Sequence, residues 1–231
     1  LPCLALLVEL VQNYHCTVVF CTATQPVLSD LLPQVLRQPK AALPVQEICP
    51  QVQAHHAAFR RNQIQLLGKL EKAEFCEMLS QQRASLTIVN TRKTALQLFQ
   101  ALQMEGKYYL TTLLCPVHRR KILAEIKERL RQGQPCTVVA TSLIEAGVDV
   151  DFPVVYRELA GLDSIVQAAG RCNREGRAIG LGQVNVFEWA EREGKQQEEM
   201  LRKMELSKMV FEKFADVAAP EAMAYYFHQL Y

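Results

Sequence analysis

Eight cysteines stand in the 231 residues, yet no two are spaced Cys-x-x-Cys. That spacing underlies most zinc sites and dithiol redox centres, so its absence argues against both. Cys16, Cys21, Cys76 and Cys136 sit in apolar runs and read as small buried hydrophobes in a reducing compartment. The phosphate-cradling pattern G-x-x-x-x-G-K-[ST] is also missing: Gly68-Lys69, Gly106-Lys107 and Gly194-Lys195 are followed by Leu70, Tyr108 and Gln196. No Asp-Glu dipeptide occurs. The apolar opening, Leu1 to Val8, is broken by Glu9, Gln12, Asn13 and His15, far short of the roughly 20 residues that span a bilayer, and it has no basic leader. No membrane segment is expected, and the chain reads as cytoplasmic. An excess of one charge is missing too: 26 basic and 24 acidic residues give a net +2, so any nucleic-acid contact must be local. At 49% apolar, the chain can bury at least one full core.

Strand and helix patterns alternate through most of what is there. Strands are expected at Gln63–Leu67, Leu86–Asn90, Tyr108–Leu113, Thr137–Ala140, Val154–Arg157 and Val184–Phe187. Between them, Phe75 to Leu79 reads as helical. Ala95, Leu98, Phe99 and Leu102 form one helical stripe, and Ile122, Leu123, Ile126 and Leu130 form another. Such alternation implies right-handed crossovers and a mainly parallel α/β sheet flanked by helices. Upstream, Leu4 to Val11 reads as a helix, Thr17 to Phe20 as a strand and Ser29 to Val35 as a short helix. Pro33, Pro39, Pro44 and Pro50 mark a linker. His55-His56 reads as part of a solvated loop. A helix-rich tail, Gln196 to Phe214 and Glu221 to Leu230, closes the chain.

Two stretches carry chemistry. In Gln167 to Arg174, at about 100° per residue, Gln167, Gly170, Arg171 and Arg174 share one helix face, while Ile165, Ala168, Ala169 and Cys172 take the other. Two planar guanidinium forks beside a glycine suit an incoming triphosphate. Spacing alone is equally compatible with a surface helix. The second stretch, residues 137 to 151, reads as a buried strand followed by Thr141 and Ser142 at its carboxyl end and a helical turn stopped by Gly147. Open α/β sheets bind ligands beyond the carboxyl ends of their strands, which places Thr141, Ser142, Gly147 and Asp149 where ligand chemistry is expected. Taken singly, each also serves as an ordinary cap or turn residue.

The order Thr22-Ala23-Thr24, Ile88-Val89-Asn90-Thr91, Thr141-Ser142 with Glu145 to Asp149, and Gln-x-x-Gly-Arg-x-x-Arg at 167 to 174 resembles motifs III to VI of superfamily 2 helicases. Leu143 to Pro153, followed by Tyr156 to Ser164, is similar more narrowly to the helicase-nuclease of type I CRISPR systems, which degrades invader DNA in antiviral defence. Cys115 to Arg120 fits as well. The resemblance implies a RecA-like helicase C-terminal domain with a helical C-terminal extension. It divides the chain into the tail of a first RecA-like domain (1–38), a linker (39–60), the second RecA-like domain (61–192) and a helical extension (193–231). Without a phosphate loop, an acidic Mg²⁺ motif or a nuclease His-Asp motif, the chain reads as a fragment beginning just past the acidic motif, and is expected to turn over no ATP alone.

The resemblance implies that Gln167, Arg171 and Arg174 face ATP and Mg²⁺ held mainly by the first domain, the two arginines acting as fingers on charge developing at the γ-phosphate. Gly147, Asp149, Gly170, Thr22, Ala23 and Thr24 would couple nucleotide state to grip on DNA. Asn90, Thr91, Arg92, His118, Arg119, Thr141 and Ser142 would meet the backbone of single-stranded DNA. No metal ligand is assigned. The partners implied are single-stranded DNA and an RNA-guided CRISPR surveillance complex. The alternatives are the motor domain of another superfamily 2 DNA or RNA helicase, and a non-catalytic docking module on the same fold.

Overall fold

The structure is a computed structural model that describes residues 2–22, 24, 27–28, 31–32, 43, 45–144, 148–191 and 197–231. Six parallel strands form its sheet: β1 (Asn62–Leu70), β2 (Ala84–Ile88), β3 (Lys107–Leu110), β4 (Cys136–Ala140), β5 (Val154–Glu158) and β6 (Gly182–Trp189). Their order is β1-β6-β5-β2-β4-β3. In chain order the helices are α1 (Pro2–Tyr14), α2 (Val52–Ala58), α3 (Lys72–Ser80), α4 (Arg92–Ala101), α5 (Pro116–Arg131), α6 (Leu162–Ala169), α7 (Glu198–Lys213) and α8 (Pro220–Leu230).

Side chains alternate across a strand, so each central strand feeds two cores. Val138 and Val155 join Leu86, Ile126 and Ala168 on one face, whereas their neighbours Val139 and Tyr156 join Phe75, Leu98 and Phe187 on the other. With every residue of β4 buried, that strand reads as a continuous apolar run, as expected for a parallel sheet covered on both sides. Phe75 centres the second core, stacked on Phe187 at 4.4 Å and edge-on to Tyr156 and Trp189, each at 5.3 Å. A third apolar cluster joins α7 and α8 to α6 through Leu162, Val210, Ala222 and Tyr226.

The strand order reverses between β2 and β5. From β2 the chain leaves through α4 toward β3, while from β5 it leaves through α6 toward β6 on the opposite side. Beyond the carboxyl ends of these two strands the departing loops leave a crevice, the ordinary ligand position of such sheets.

All six strands expected for the sheet are present, as are the expected helices around it. Near the amino terminus the structure departs from the sequence reading. Residues 17–20 form no strand, because among the described residues no neighbouring strand takes up their backbone groups. They line an apolar hollow with Leu4, Leu7 and Val8 of α1, and Cys16 and Cys21 are exposed rather than buried. Ser29 to Val35 falls largely outside the described residues. His55 and His56 lie within α2, not a loop, and His56 Nε2 reaches Asp216 Oδ2 at 3.2 Å. Among the described residues, no helix is long and apolar enough to cross a membrane.

Candidate nucleotide and nucleic-acid faces

At the carboxyl end of β2 the chain turns into α4 through Asn90 and Thr91. The Thr91 hydroxyl caps that helix, accepting from the Thr94 N–H at 3.0 Å. Arg92, exposed, follows at the first helical position, where unsatisfied backbone N–H groups favour an anion. Asn90 is held from three sides. Its N–H donates to Glu158 Oε2 at 2.8 Å, its Nδ2 donates to the Leu159 carbonyl at 2.9 Å, and its Oδ1 accepts from Arg157 Nη1 at 2.7 Å. Its polar groups thus orient the Thr91 turn.

Next in the sheet, β4 ends at Thr141 and the 3₁₀ turn Ser142–Ile144. Thr141 is 7% exposed and its N–H donates to the Leu110 carbonyl, whereas Ser142 is exposed. Beyond β3, His118 and Arg119 occupy the first turn of α5, with His118 exposed and Arg119 half-buried. The adjacent strands β2, β4 and β3 therefore bring Thr91 and Arg92, Ser142, and His118 and Arg119 to one edge of the sheet.

Both arginines of the 167–174 stretch lie at the opposite edge. The expected helix stops at Ala169, so Arg171 and Arg174 are not on it. Backbone pairing with the segment before β5 displaces further helix: Phe152 N–H donates to the Arg171 carbonyl at 2.9 Å, and Asn173 N–H to the Phe152 carbonyl at 3.0 Å. Asn173 adopts a left-handed conformation (φ 48°), and its amide is tied to Arg61, Gly180 and Ala178. The inward face is as expected, with Ile165, Ala168, Ala169 and Cys172 all buried. Burial, with Asp151 nearby, pushes the Cys172 thiol up to about 12.

Asp149 is at this edge as well. It was expected beyond the carboxyl end of β4, but β5 runs parallel to β4, so the chain must return to the amino ends before Val154. Residues 148–153 make that return. Arg171 Nη1 donates to the Val148 carbonyl, and Arg174 Nε pairs with Asp149 Oδ1 at 3.1 Å. Asp151 accepts from the Arg174 N–H at 2.7 Å, and Lys127 lies 3.8 Å from Asp149. Gln167 is half-buried on the last turn of α6, and Gly170 is exposed at its end. Gly147 and Ala23 lie outside the described residues; Thr22 accepts from the Thr24 N–H at 3.3 Å in the amino-terminal segment. Among the described residues, no group of three or more His, Cys, Asp or Glu side chains is set to hold a metal ion.

Residues 81–177 match the family model described as the C-terminal part of the CRISPR-associated nuclease/helicase Cas3. Over those residues, under half of its length, the chain resembles a Cas3-like helicase C-terminal domain. It is similar to the CRISPR-associated nuclease/helicase Cas3 of Haloferax volcanii, at 52% identity over 56 residues, which is 24% of this chain and 6% of the relative. The Cas3 of Methanothermobacter thermautotrophicus is 35% identical over 91 residues, 38% of this chain and 11% of that protein. Among solved structures, the crystal structure of T. fusca Cas3-ATP shares the fold, with a TM-score of 0.58 at 18% identity over 84% of this chain and 25% of that one. The chain thus spans about a tenth or less of the two curated relatives' length.

The Cas3-like match runs from just before β2 past Arg174, taking in the candidate site residues placed on either edge of the sheet and leaving out Thr22 and Thr24. It also takes in Arg157, Glu158 and Ser164, to which the sequence reading gave no role. Arg157 and Glu158 are 2% and 6% exposed at the end of β5. Burial holds the Glu158 carboxyl above its ordinary value, against the Asn90 N–H and the Arg157 charge, which pull it down. The signal was present in the sequence: two adjacent charges ending an otherwise apolar strand must find partners or not be buried at all.

Proposed function

We propose that this chain is the second motor domain of an ATP-dependent single-stranded DNA translocase acting in CRISPR interference. The observation that carries the reading is the division of its polar residues between the two ends of one parallel sheet. The carboxyl edge offers Thr91, Arg92, Ser142 and Arg119 beside two helix N-termini, and backbone contacts of this kind carry little sequence information. A motor that walks on any sequence needs that. Thr141 acts chiefly by starting the 3₁₀ turn that presents Ser142, and Asn90 by fixing the cap at Thr91.

At the amino edge, Arg171 and Arg174 are ordered by Val148 and Asp149 on the segment joining β4 to β5, the same connection that begins at Thr141 and Ser142. A shift at the DNA edge can therefore reach the arginines through one continuous segment. ATP, bound mainly by another domain, supplies the free energy of the cycle. Arg171 and Arg174 would neutralise charge developing on its transferred phosphate. Mg²⁺, like ATP, would be held mainly by that other domain. An RNA-guided surveillance complex is the partner such a translocase would serve.

Fluorescence anisotropy with labelled single-stranded DNA tests the DNA edge. Binding is expected to be sequence-blind and to weaken as salt rises. Arg92→Ala should lower the salt slope by about 1, and Ser142→Ala should weaken binding alike on all sequences. A strong preference for one base sequence, or for duplex RNA, would reject the assignment.

A further inference from the structure

Arg157 spans the crevice at the strand-order reversal. One arm of its guanidinium, Nη1, donates at 2.7 Å to Asn90 Oδ1 and at 2.7 Å to the Glu158 carbonyl; the other, Nη2, donates at 3.0 Å to Ser164 Oγ. Asn90 directly precedes the cap of α4. Ser164 lies in the first turn of α6, whose far end leads into Arg171. One planar side chain thus ties the loop that opens the DNA edge to the helix that leads to the arginine edge. Burying a permanent charge is costly unless its donors are used, and an apolar residue would fill the space at less cost. What the fork adds is a fixed geometry between two partners on two elements.

The start of α6 cannot absorb a displacement locally. The Tyr226 hydroxyl of α8 donates to Asp163 Oδ1 at 3.3 Å, and Ser207 of α7 donates to the Ala160 carbonyl at 2.8 Å, clamping both sides of Gly161. A pull on Ser164 therefore moves α6 together with the α7 and α8 contacts that hold its start. An eight-residue helix is about 12 Å long, enough to carry the movement toward the other edge of the sheet. We infer that Arg157 is a positioning residue that couples engagement of DNA at residues 90–92, through Ser164 and α6, to the placement of Arg171.

This inference rests on the motor reading and is tested in the full-length protein by ATP turnover with and without single-stranded DNA. Ser164→Ala removes the α6 end of the link and touches neither proposed face. It should leave basal turnover and the KM for ATP near those of the parent, with a melting temperature only modestly lower for the one bond taken from the buried guanidinium, while DNA stimulation falls about 5-fold or more, the scale of ordinary intersite coupling. Ser164→Thr, which keeps the hydroxyl, should restore stimulation. Arg157→Lys, a point charge that cannot hold both partners in one plane, should lose DNA stimulation as Ser164→Ala does, with a lower melting temperature because the buried charge keeps fewer of its bonds. If the parent is stimulated by DNA and Ser164→Ala is stimulated equally, the coupling role is wrong while the motor reading stands. A proportional loss of basal and stimulated turnover would show a merely structural serine and overturn the inference. A parent that DNA does not stimulate removes the motor reading and the link together.

Discussion

Replacing Gly161 by alanine isolates the joint between the sheet domain and the carboxyl-terminal helices. Gly161 caps α6 with φ −61° and ψ 146°, a conformation open to any residue, so backbone strain is not the issue. Space is. A Cβ at this position would lie 2.5 Å from Asp163 Oδ1 and 2.7 Å from the Tyr226 hydroxyl. The Asp163 carboxylate ends a half-buried side chain and can swing, but Tyr226 is fully buried and cannot retreat without moving α8. Overpacking of this kind costs about 1–3 kcal/mol, while losing glycine's unfolded freedom returns about 0.4–1 kcal/mol. The net loss should be roughly 1–2 kcal/mol, or a fall of about 2–8 °C in melting temperature for a chain this long. Urea unfolding and a thermal melt measure it. In the alanine background, Tyr226→Phe removes one offending atom and should recover part of the loss, although alone it costs about 0.5–1.5 kcal/mol for its bond to Asp163. The two changes should therefore be strongly non-additive. Higher stability from Gly161→Ala, or strict additivity with Tyr226→Phe, would refute this packing of α8 on the start of α6.

Three further outcomes follow from the site and its support. Because burial raises the Glu158 carboxyl in the folded state, the stability linked to its proton is present below the unfolded value near 4.5 and is lost as pH rises through the higher folded value; urea midpoints should show Glu158→Gln gaining on the parent across that window and holding a constant lead above it. Phe75→Ala empties the centre of the aromatic core and should cost about 3–5 kcal/mol in a denaturant titration, with a loss under 1 kcal/mol contradicting the stacking on Phe187. Thr91→Ala should cost about 1 kcal/mol by removing the cap of α4, while Thr91→Asn should retain most of it, and calorimetry that ranks the two in the reverse order would contradict the capping role.

The sheet was readable because its strands are short apolar runs separated by amphipathic helices, and both patterns are local. Every expected strand of the sheet lies at its assigned place, with ends differing by a few residues. Where distant backbone groups compete, local pattern fails. Residues 167–174 have helical spacing throughout, yet Phe152 captures the backbone of residues 171 and 173 and halts the helix after Ala169. Asp149 was misplaced for a similar reason: its neighbourhood depends on a parallel strand having to return, which periodicity does not encode. Residues 17–20 have strand composition without a strand neighbour. Motif order brought attention to most residues at both edges, but the Asn90–Arg157–Ser164 link joins positions 67 and 7 residues apart and becomes visible only once β2 and β5 are adjacent.

Arg174 offers the most direct test of the central claim. Its ion pair with Asp149 is 44% and 69% exposed on its two sides, so losing it should cost no more than about 1 kcal/mol of stability. Arg171 is a less clean probe, since its replacement also strips the Val148 carbonyl of a donor. The measurement is DNA-stimulated ATP turnover by the full-length protein carrying Arg174→Ala, alongside its melting temperature. An arginine acting on transition-state charge predicts a fall of roughly 10³-fold in turnover, with folding and DNA affinity nearly unchanged. Turnover equal to that of the parent would contradict the account.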